Sequence, residues 1–365
     1  MYLILLTRFI RCCTKPRHRI SRCFFILKII LQDGFCVCIM RWQKNQRAGD
    51  RISMGNKLIG YGAYLPSRVM TNADFERIMD TTDEWIVTRT GIRERHIARE
   101  DETVVDMAVI AARRALENAA LTIDDIDMLI VATTTPELDF PSVGVQILGR
   151  LGATRNQPAF DVRGACTGYI YALHTARAFF TAGMHQRIMI VGAEKMSRFI
   201  DWSDRSTAVL FGDGAGALIF ERSTSSYSGI IDTVVMADGA GYDMLHGTND
   251  HKIEMNGPET YRRAIMSMPH AARYIMEHAG ITADNVDWII PHQANLRIIE
   301  SCAARLEFPL NKILVTVDRH ANTSGASGVL ALAYGFESGM IKHGQLILYP
   351  AFGSGLTWGA ALIRV

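Results

Sequence analysis

The sequence predicts a duplicated α/β fold built from five alternating layers, α-β-α-β-α. The first observation is an internal repeat: residues 111–135 and 271–295 align without a gap and are identical at nine positions. A second echo follows, because Phe211-Gly212-Asp213-Gly214 and Phe352-Gly353-Ser354-Gly355 each lead into an Ala-Leu-Ile run. A repeat this long excludes a solenoid and indicates two homologous halves packed together.

Each copy of the repeat predicts the same elements in the same order. An amphipathic helix comes first, then an Asp-containing turn, then a short apolar strand, Met128 to Ala132 in the first copy and Trp288 to Ile290 in the second. Strands that are apolar throughout are usually covered by helices on both faces, which favours layers. Ligands of such folds collect at the carboxyl ends of strands, and His292 follows the second strand closely.

The first 53 residues differ in composition from the rest of the chain. They carry a net charge of +9, whereas residues 54–365 carry −7. Their apolar runs are too short to cross a bilayer, and basic residues follow the first run instead of preceding it, unlike a secretory signal. We therefore predict that residues 1–53 are an extension outside the fold; the alternative is a targeting or membrane-surface peptide. Residues 54–224 and 225–365 are the two predicted halves.

Five of the seven cysteines lie in that extension: Cys12, Cys13, Cys23, Cys36 and Cys38. No histidine pair at ligand spacing accompanies them, so we expect neither a metal site nor a disulfide framework there. The other two are Cys166 and Cys302. Two core cysteines fit a reducing cytosol, and Cys302, within a helical stretch, is predicted to be a small buried residue.

Cys166 is the candidate nucleophile. It follows a strand-like run from Ala159 to Val162, passes a Gly164-Ala165 turn and precedes an apolar helical run. A sulfur at a helix N-terminus lies near unpaired N–H groups, which favour the thiolate.

His292 and Asn322 complete a set of residues that indicates carbon–carbon bond formation. A cysteine takes an acyl group from a thioester, and a histidine and an asparagine can donate hydrogen bonds to the enolate of a second half-reaction. No metal or redox cofactor is expected. His320, two residues before Asn322, is predicted to be structural. Gly212–Gly216 lacks the spacing of a phosphate or dinucleotide loop and is predicted to be a tight turn.

From Met54 to Val365 the chain resembles the β-ketoacyl-acyl-carrier-protein synthase III family, thiolase-fold condensing enzymes that initiate fatty-acid synthesis. The motifs are DEWIVTRTGIRERHIA at 83–98, FGDGAGA at 211–217, PHQANLRI at 291–298 and DRHANTS at 318–324. The resemblance implies a thiolase-like fold, Cys166 as nucleophile, and His292 and Asn322 as residues that assist decarboxylation and condensation. It also implies a cytoplasmic homodimer that binds acyl-CoA and malonyl-acyl-carrier protein, with no nucleic-acid or membrane partner.

The same resemblance implies the residues that bind the substrates. The backbone N–H groups of Cys166 and Ser354 would hold the oxyanion of the acylation step. The implied CoA-binding residues are Trp85, Arg89, Thr90, Arg205 and Asn295. The implied carrier-protein-binding residues are Gln293, Ala294, Asn295, Leu296, Arg297 and Arg262. Phe140 matches a position that reaches across a two-fold interface into the partner's acyl pocket, which predicts a preference for acetyl- or similarly short acyl-CoA.

Three residues depart from the family pattern. Ser354 replaces a glycine and keeps its N–H available, provided that its φ is not positive. Ser206 replaces the glycine that commonly follows the arginine at 205. Arg163 stands where the family has small residues, and we expect it to pair with Asp161 or another buried carboxylate. The alternative is that Arg163 lowers the pKa of Cys166.

The same residues also bear on functions other than condensation. A degradative thiolase would carry a second cysteine in the C-terminal glycine-rich turn, where this chain has none. A related enzyme that primes a polyketide or other secondary pathway stays open, because the same three residues would serve it. A non-catalytic acyl-CoA-binding protein would tolerate their loss, yet all three are present. A thiol hydrolase would release free acid instead of a ketoacyl product.

Overall fold

The computed structural model describes residues 26–32 and 35–41 by their backbone, and residues 55–225, 227–248 and 252–365 in full. Strands β1 (Ile26–Gln32) and β2 (Phe35–Arg41) pair as an antiparallel hairpin, in a unit separate from Ser53–Val365. The predictions for the N-terminal extension and its cysteine side chains otherwise lie outside the described residues.

Two mixed sheets form the frame of the second unit. Its strands are β3 (Gly55–Tyr64), β4 (Arg68–Thr71), β5 (Glu94–Ile97), β6 (Met128–Ala132), β7 (Ala159–Val162), β8 (Arg187–Lys195), β9 (Asp213–Ser223), β10 (Gly229–Ala237), β11 (Leu245–Gly247), β12 (Ile253–Met255), β13 (Trp288–Ile289), β14 (Leu346–Gly353) and β15 (Thr357–Arg364). The first sheet has the order β3-β9-β8-β6-β7 and the second the order β10-β15-β14-β13. Strand β6 is parallel to β7 and β8, and β13 is parallel to β14, whereas the other neighbours in these sheets are antiparallel. Two small two-stranded antiparallel sheets, β4-β5 and β11-β12, complete the strands of this unit.

Helices cover both sheets. They are α1 (Asn72–Glu76), α2 (Asp83–Thr90), α3 (Val104–Asn118), α4 (Val143–Arg150), α5 (Gly168–Ala182), α6 (Arg205–Ala208), α7 (Gly257–Ala279), α8 (Leu296–Arg305), α9 (Val317–His320) and α10 (Ser327–Glu337). None of the helices in the described ranges is long and apolar enough to span a membrane.

The predicted five-layer order is confirmed. Helices α3 and α4 cover the outer face of the first sheet, α5 and α10 lie between the sheets, and α7 and α8 cover the outer face of the second. Strand β6 shows the cause, because Leu129 and Val131 pack with the outer layer while Met128 and Ile130 pack with the central one. Successive side chains of a strand point to opposite faces, so a strand that is apolar throughout needs cover on both.

The two copies of the repeat fold alike. Asp127 Oδ2 accepts a hydrogen bond from the backbone N–H of Arg187 at 2.9 Å, where β8 begins. Asp287 Oδ2 accepts one from the backbone N–H of Leu346 at 2.7 Å, where β14 begins. The matching aspartates therefore fasten the start of the neighbouring strand in both sheets.

The predicted tight turn at Gly212–Gly216 is wrong, because the residues after Gly212 belong to β9. Glycine is needed here for packing. A Cβ on Gly216 would lie 2.6 Å from Cγ1 of Val329, so α10 could not approach β9 with a larger residue at that position. The glycines therefore serve the packing of the central layer.

Candidate active site

A cavity of ≈ 900 Å³ lies among the residues that the motifs single out. Cys166, His292 and Asn322 all line its wall, although they are far apart in sequence. The described wall contains arginines, Arg89, Arg163 and Arg297, but no Asp or Glu. The cavity is therefore suited to an acyl chain and to anionic groups.

Cys166 sits where a strand, a turn and a helix meet, as predicted. It lies in a 3-10 turn, Ala165–Thr167, between β7 and α5. Gly353 packs directly against it, since a Cβ on Gly353 would lie 3.0 Å from Cβ and 3.1 Å from the backbone N of Cys166. The end of β14 thus approaches the cysteine more closely than a side chain would permit.

Burial raises the pKa of the Cys166 thiol to about 12, and the negative charge of Glu194 acts in the same direction. Hydrogen bonds with the side chains of Ser324 and Asn322 act against this rise in pKa. The thiol is therefore the resting form. The expectation that the helix N-terminus favours the thiolate is outweighed here by desolvation.

His292 is buried, and desolvation lowers its pKa to about 4, so its imidazole is neutral near pH 7. Its Nδ1 lies 2.7 Å from Oγ of Ser327 at the start of α10, while its Nε2 has no hydrogen-bond partner within the described part of the chain. If the serine donates to Nδ1, the proton of the neutral ring is on Nε2, where it can point at a substrate.

Asn322 is fixed through its backbone and its side chain. Its backbone N–H donates to the carbonyl of Leu210 at 2.9 Å, and its Oδ1 accepts from the N–H of Ser324 at 2.9 Å. Because Oδ1 is the acceptor, the NH₂ group of the amide is left to donate at the Cys166 side.

Two backbone amides lie beside the cysteine without partners. Neither the N–H of Cys166 nor that of Ser354 donates to another residue in the described ranges. Ser354 does not have a positive φ, so the condition placed on this substitution is met. Its Oγ donates to the carbonyl of Leu245 at 2.5 Å, which ties the turn to β11.

Trp85 is the centre of the implied CoA site. The guanidinium of Arg89 lies 4.4 Å from the indole centroid, and that of Arg205 lies 4.7 Å from it. A ring inserted between indole and guanidinium needs a separation of about 7 Å, two contact distances. The slot between Trp85 and Arg205 is therefore closed, and adenine could enter only if Arg205 moved.

Asn295 joins two elements of the same region. Its Oδ1 caps α8 by accepting from the N–H of Arg297 at 2.9 Å, and its Nδ2 donates to the carbonyl of Arg89 at 3.0 Å. Thr90 lines the cavity, but its hydroxyl donates to the carbonyl of Ile86 at 2.7 Å within α2. These contacts position the residues of the site.

One implied carrier-protein residue is wrong. Gln293 is fully buried, its Oε1 accepts from the N–H groups of Thr316 and Val317, and its Nε2 donates to the carbonyl of Pro291. A side chain with no exposed surface and a satisfied amide cannot contact a docking protein, so Gln293 holds two loops together instead.

The other implied carrier-protein residues are accessible to different degrees. Ala294 and Arg297 line the cavity, and the Arg297 guanidinium lies 5.4 Å from the ring centroid of Tyr261. Leu296 is partly buried against Gly91. Arg262 is exposed on α7, where it pairs with Glu259.

Two further residues, Arg163 and Phe140, are exposed. Asp161 accepts from the N–H groups of Val143 and Gly144 at the start of α4, so the predicted pair with Arg163 is wrong. Arg163 lines the cavity, is exposed and has no ion pair among the described residues. Phe140 is 84% exposed and does not line the cavity of its own chain.

The sequence reasoning missed Ser327 and Glu194. Glu194 is fully buried and accepts hydrogen bonds from Ser324 and from a run of threonines, Thr133–Thr135. Its one signal in the sequence is a carboxylate at the end of an apolar run, which is rare unless it is paired. His320 does not line the cavity. Cys302 is buried in the core beside the second sheet, as predicted.

Comparisons with known proteins define the class. The family model "3-Oxoacyl-[acyl-carrier-protein (ACP)] synthase III" matches residues 160–239, and its C-terminal counterpart matches residues 276–365. The β-ketoacyl-[acyl-carrier-protein] synthase III of Cereibacter sphaeroides is 47% identical over 316 residues, which cover 84% of this chain and 97% of the relative. The crystal structure of 3-oxoacyl-[acyl-carrier-protein] synthase III from Aquifex aeolicus has a TM-score of 0.83 at 46% identity, covering 85% of this chain and 100% of that one. The priming β-ketosynthase of the R1128 polyketide pathway has a TM-score of 0.80 at 37% identity, covering 85% and 96%.

The fold and the comparisons together define a thiolase-fold, acyl-transferring condensing enzyme of fatty-acid biosynthesis. The chain belongs to the β-ketoacyl-acyl-carrier-protein synthase III family.

Proposed function

We propose that the chain condenses a short acyl-CoA with malonyl-acyl-carrier protein, with loss of CO₂, to give a 3-ketoacyl-acyl-carrier protein. The observation that carries the proposal is that Cys166, His292 and Asn322 line one cavity, beside two unpaired backbone amides. This set can form an acyl thioester and then hold an enolate. A protein that only binds acyl-CoA needs neither property.

In the first half-reaction, Sγ of Cys166 attacks the carbonyl carbon of the acyl-CoA. The bond from that carbon to the CoA sulfur breaks, and the thiol proton of the cysteine ends on the CoA thiol. The N–H groups of Cys166 and Ser354 hold the oxyanion that forms between these steps. Because burial holds the thiol pKa near 12, the cysteine enters this step as the thiol.

In the second half-reaction, the malonyl thioester loses CO₂ and leaves an enolate. Its oxygen accepts hydrogen bonds from Nε2–H of His292 and from the amide of Asn322. The carbanion attacks the acyl carbon, the bond from that carbon to Sγ of Cys166 breaks, and the freed thiolate takes up a proton from water. A histidine with a pKa of about 4 does this as a neutral donor.

Two groups of residues would bind the two substrates. Trp85, Arg89, Thr90 and Asn295 are at hand for the CoA arm, and Arg205 joins them once it leaves the indole face. The carrier protein would dock on the accessible residues Ala294, Leu296, Arg297 and Arg262. Basic residues at this docking surface favour an acidic partner although residues 54–365 carry a net charge of −7.

The assembly is a cytoplasmic homodimer in this proposal. Strand β7 is the edge of the first sheet, so its outer N–H and C=O groups have no strand partner in the described sheet. A two-fold contact there would bury Phe140, which is otherwise an unusually exposed ring. Residues 54–224 and 225–365 form the two halves, and residues 1–53 stay outside the fold.

The test separates the half-reactions. Acetyl-CoA and malonyl-acyl-carrier protein are supplied to the full chain and to three variants, and acyl-enzyme, CO₂ and ketoacyl product are measured. Cys166→Ser should remove acyl transfer and leave the fold intact, because an alcohol is far less ionised than a thiol. His292→Ala and Asn322→Ala should still accumulate acetyl on Cys166 and lose decarboxylation. Near-normal acylation of the serine variant, or free acid as the product, would contradict the proposal.

A second candidate function is the priming of a polyketide or other secondary pathway. The likeness to the R1128 priming β-ketosynthase favours it. Offering the carrier proteins of fatty-acid and secondary pathways in competition decides between the two, because the proposed function requires the fatty-acid carrier to be used faster.

A further inference from the structure

Arg163 is a charged residue that the reaction described above does not use. Its guanidinium has no ion pair or hydrogen bond within the described residues, and Asp161, its nearest carboxylate in sequence, is occupied by the amides of Val143 and Gly144. It nevertheless lines the same cavity as Cys166. An arginine is charged at any working pH, so this part of the wall carries a permanent positive charge.

The place of Arg163 in the fold brings it near Cys166. It directly follows β7, whose last residue, Val162, pairs with Ala132 of β6. Strand β6 leads on to Thr134 and Thr135, which line the cavity as well. Arg163 and Cys166 are three positions apart in the chain, so their Cα atoms are at most about 11 Å apart.

Arg163 is distinct from the arginines assigned to the CoA arm and the carrier protein. Arg89 packs on Trp85 and Arg297 on Tyr261, and these two arginines are linked through Asn295. Arg163 takes part in none of these contacts. Its guanidinium is therefore available to a group attached to Cys166, which lines the same cavity.

Much of the remaining wall is apolar, with Phe199, Leu210, Phe211, Met268 and Phe352 among its residues. A neutral acyl chain would gain from those side chains but would offer the guanidinium no hydrogen bond. A carboxylate would supply them, and the planar guanidinium matches it in two-point geometry. The wall is thus best matched by a chain that is apolar near the thioester and anionic at its far end.

We propose that Arg163 binds a carboxylate at the far end of the starter, so that this chain accepts short dicarboxylic acyl-CoA thioesters. The inference rests on the proposed function, because it needs Cys166 as the nucleophile. The carboxylate is bound and not consumed: the acyl carbon exchanges its CoA sulfur for Sγ of Cys166, and the thiol proton ends on CoA. The product is a 3-ketoacyl-acyl-carrier protein with a terminal carboxylate.

The malonyl group is the other possible source of a carboxylate. An arginine bound to it would stabilise the ground state of the very group that leaves as neutral CO₂, and would slow decarboxylation. The starter is therefore the source that the chemistry favours.

The test compares kcat/KM of the full chain for succinyl-CoA and glutaryl-CoA with kcat/KM for butyryl-CoA and pentanoyl-CoA, which have the same chain lengths without the charge. Arg163→Met removes the charge at similar length, Arg163→Lys keeps a charge without the planar fork, and Arg113→Met is a control on an exposed arginine of α3 outside the cavity. We expect the wild-type chain to prefer the dicarboxylic member of each pair. Arg163→Met should lower that preference about 10-fold or more, the value of a charged hydrogen bond, Arg163→Lys should lower it less, and Arg113→Met should leave it unchanged.

Three results would overturn the inference. One is a wild-type chain that condenses butyryl-CoA and rejects both dicarboxylic starters. Another is an equal loss for charged and neutral starters in Arg163→Met, with unfolding in urea as the check on its fold. The third is a raised KM for malonyl-acyl-carrier protein with an unchanged starter preference, which would assign the carboxylate to malonyl. Absence of any ketoacyl product from every starter would instead defeat the proposed function itself.

Discussion

At the scale of single residues, the hydrogen bond from Ser327 decides what His292 can do. A neutral imidazole has one N–H, and Oγ of Ser327 at 2.7 Å from Nδ1 makes Nε2 the donor when the serine gives its proton to the ring. Burial holds the pKa of His292 near 4, so the ring carries only one proton near pH 7. Which of the two ring nitrogens carries that proton therefore decides whether Nε2 can donate. Ser327 is therefore a positioning residue.

Ser327→Ala should slow decarboxylation of malonyl-acyl-carrier protein by roughly 3-fold to 10-fold, the value of one neutral hydrogen bond, because the proton of His292 is then free to reside on Nδ1. Acylation of Cys166 should keep its rate. The measurement is the rate of each half-reaction in the same preparation, with Ser338→Ala at the end of α10 as the control. An equal loss in both half-reactions would show that Ser327 only supports the fold.

The sequence predicted the residues of the site better than their surroundings. Cys166, His292 and Asn322 stand in motifs whose residue types suit one reaction, so their assembly in one cavity could be expected. Gln293 shares a motif with His292 and was placed on the surface, but its amide closes four backbone hydrogen bonds. A motif does not distinguish residues that touch a partner from residues that hold the loop. Arg163 was mispaired because no pattern shows which amides occupy a carboxylate.

At the scale of elements, the packing of α10 on β9 depends on the absence of side chains. A Cβ on Gly216 would lie 2.6 Å and 2.7 Å from two atoms of Val329, a buried residue of the central layer. Helix α10 also carries Ser327 at its start, so the spacing of these two elements sets the position of the histidine's partner.

Gly216→Ala should destabilise the fold by about 1–3 kcal/mol, as overpacking of a filled core does. The matched control is Gly149→Ala in α4, where nothing lies within 4 Å of the added atom. That control should be neutral or more stable by up to about 1 kcal/mol, because alanine is the better helix former. Urea unfolding of both variants measures the difference, and equal midpoints would show that the central layer yields to the extra methyl group.

The elements themselves could be predicted from the repeat, but the start of β9 within Gly212–Gly216 could not. Asp127 and Asp287 match in sequence and fasten equivalent strands, so the second copy was a dependable guide to the first. Gly212–Gly216 was taken for a turn because glycines mark turns locally. Glycine is needed here because α10, more than a hundred residues later in the sequence, packs against this strand. No local sequence pattern predicts that contact.

At the scale of the whole molecule, the open edge of β7 and the exposed ring of Phe140 point to the same surface. Phe140 is 84% exposed, on the connection between β6 and α4, and the first sheet ends at β7. A second copy related by a two-fold axis would cover both features with one contact. Each ring would then be able to close the acyl end of its partner's cavity, a role that the ring cannot have in its own chain.

The last prediction tests that arrangement through starter length. The wild-type chain should sediment as a homodimer and prefer short acyl-CoA, and Phe140→Ala should extend acceptance toward longer chains. A steric wall discriminates by at most about 10-fold to 200-fold per methylene, so kcat/KM should decline gradually along an acetyl-to-octanoyl series in the wild type and more slowly in the variant. Tyr227→Ala is the control, since that ring is 77% exposed and does not line the cavity. A monomer, or a wild-type preference for octanoyl-CoA, would contradict a wall supplied by the partner, because only an assembled dimer can place this ring at the end of the acyl chain.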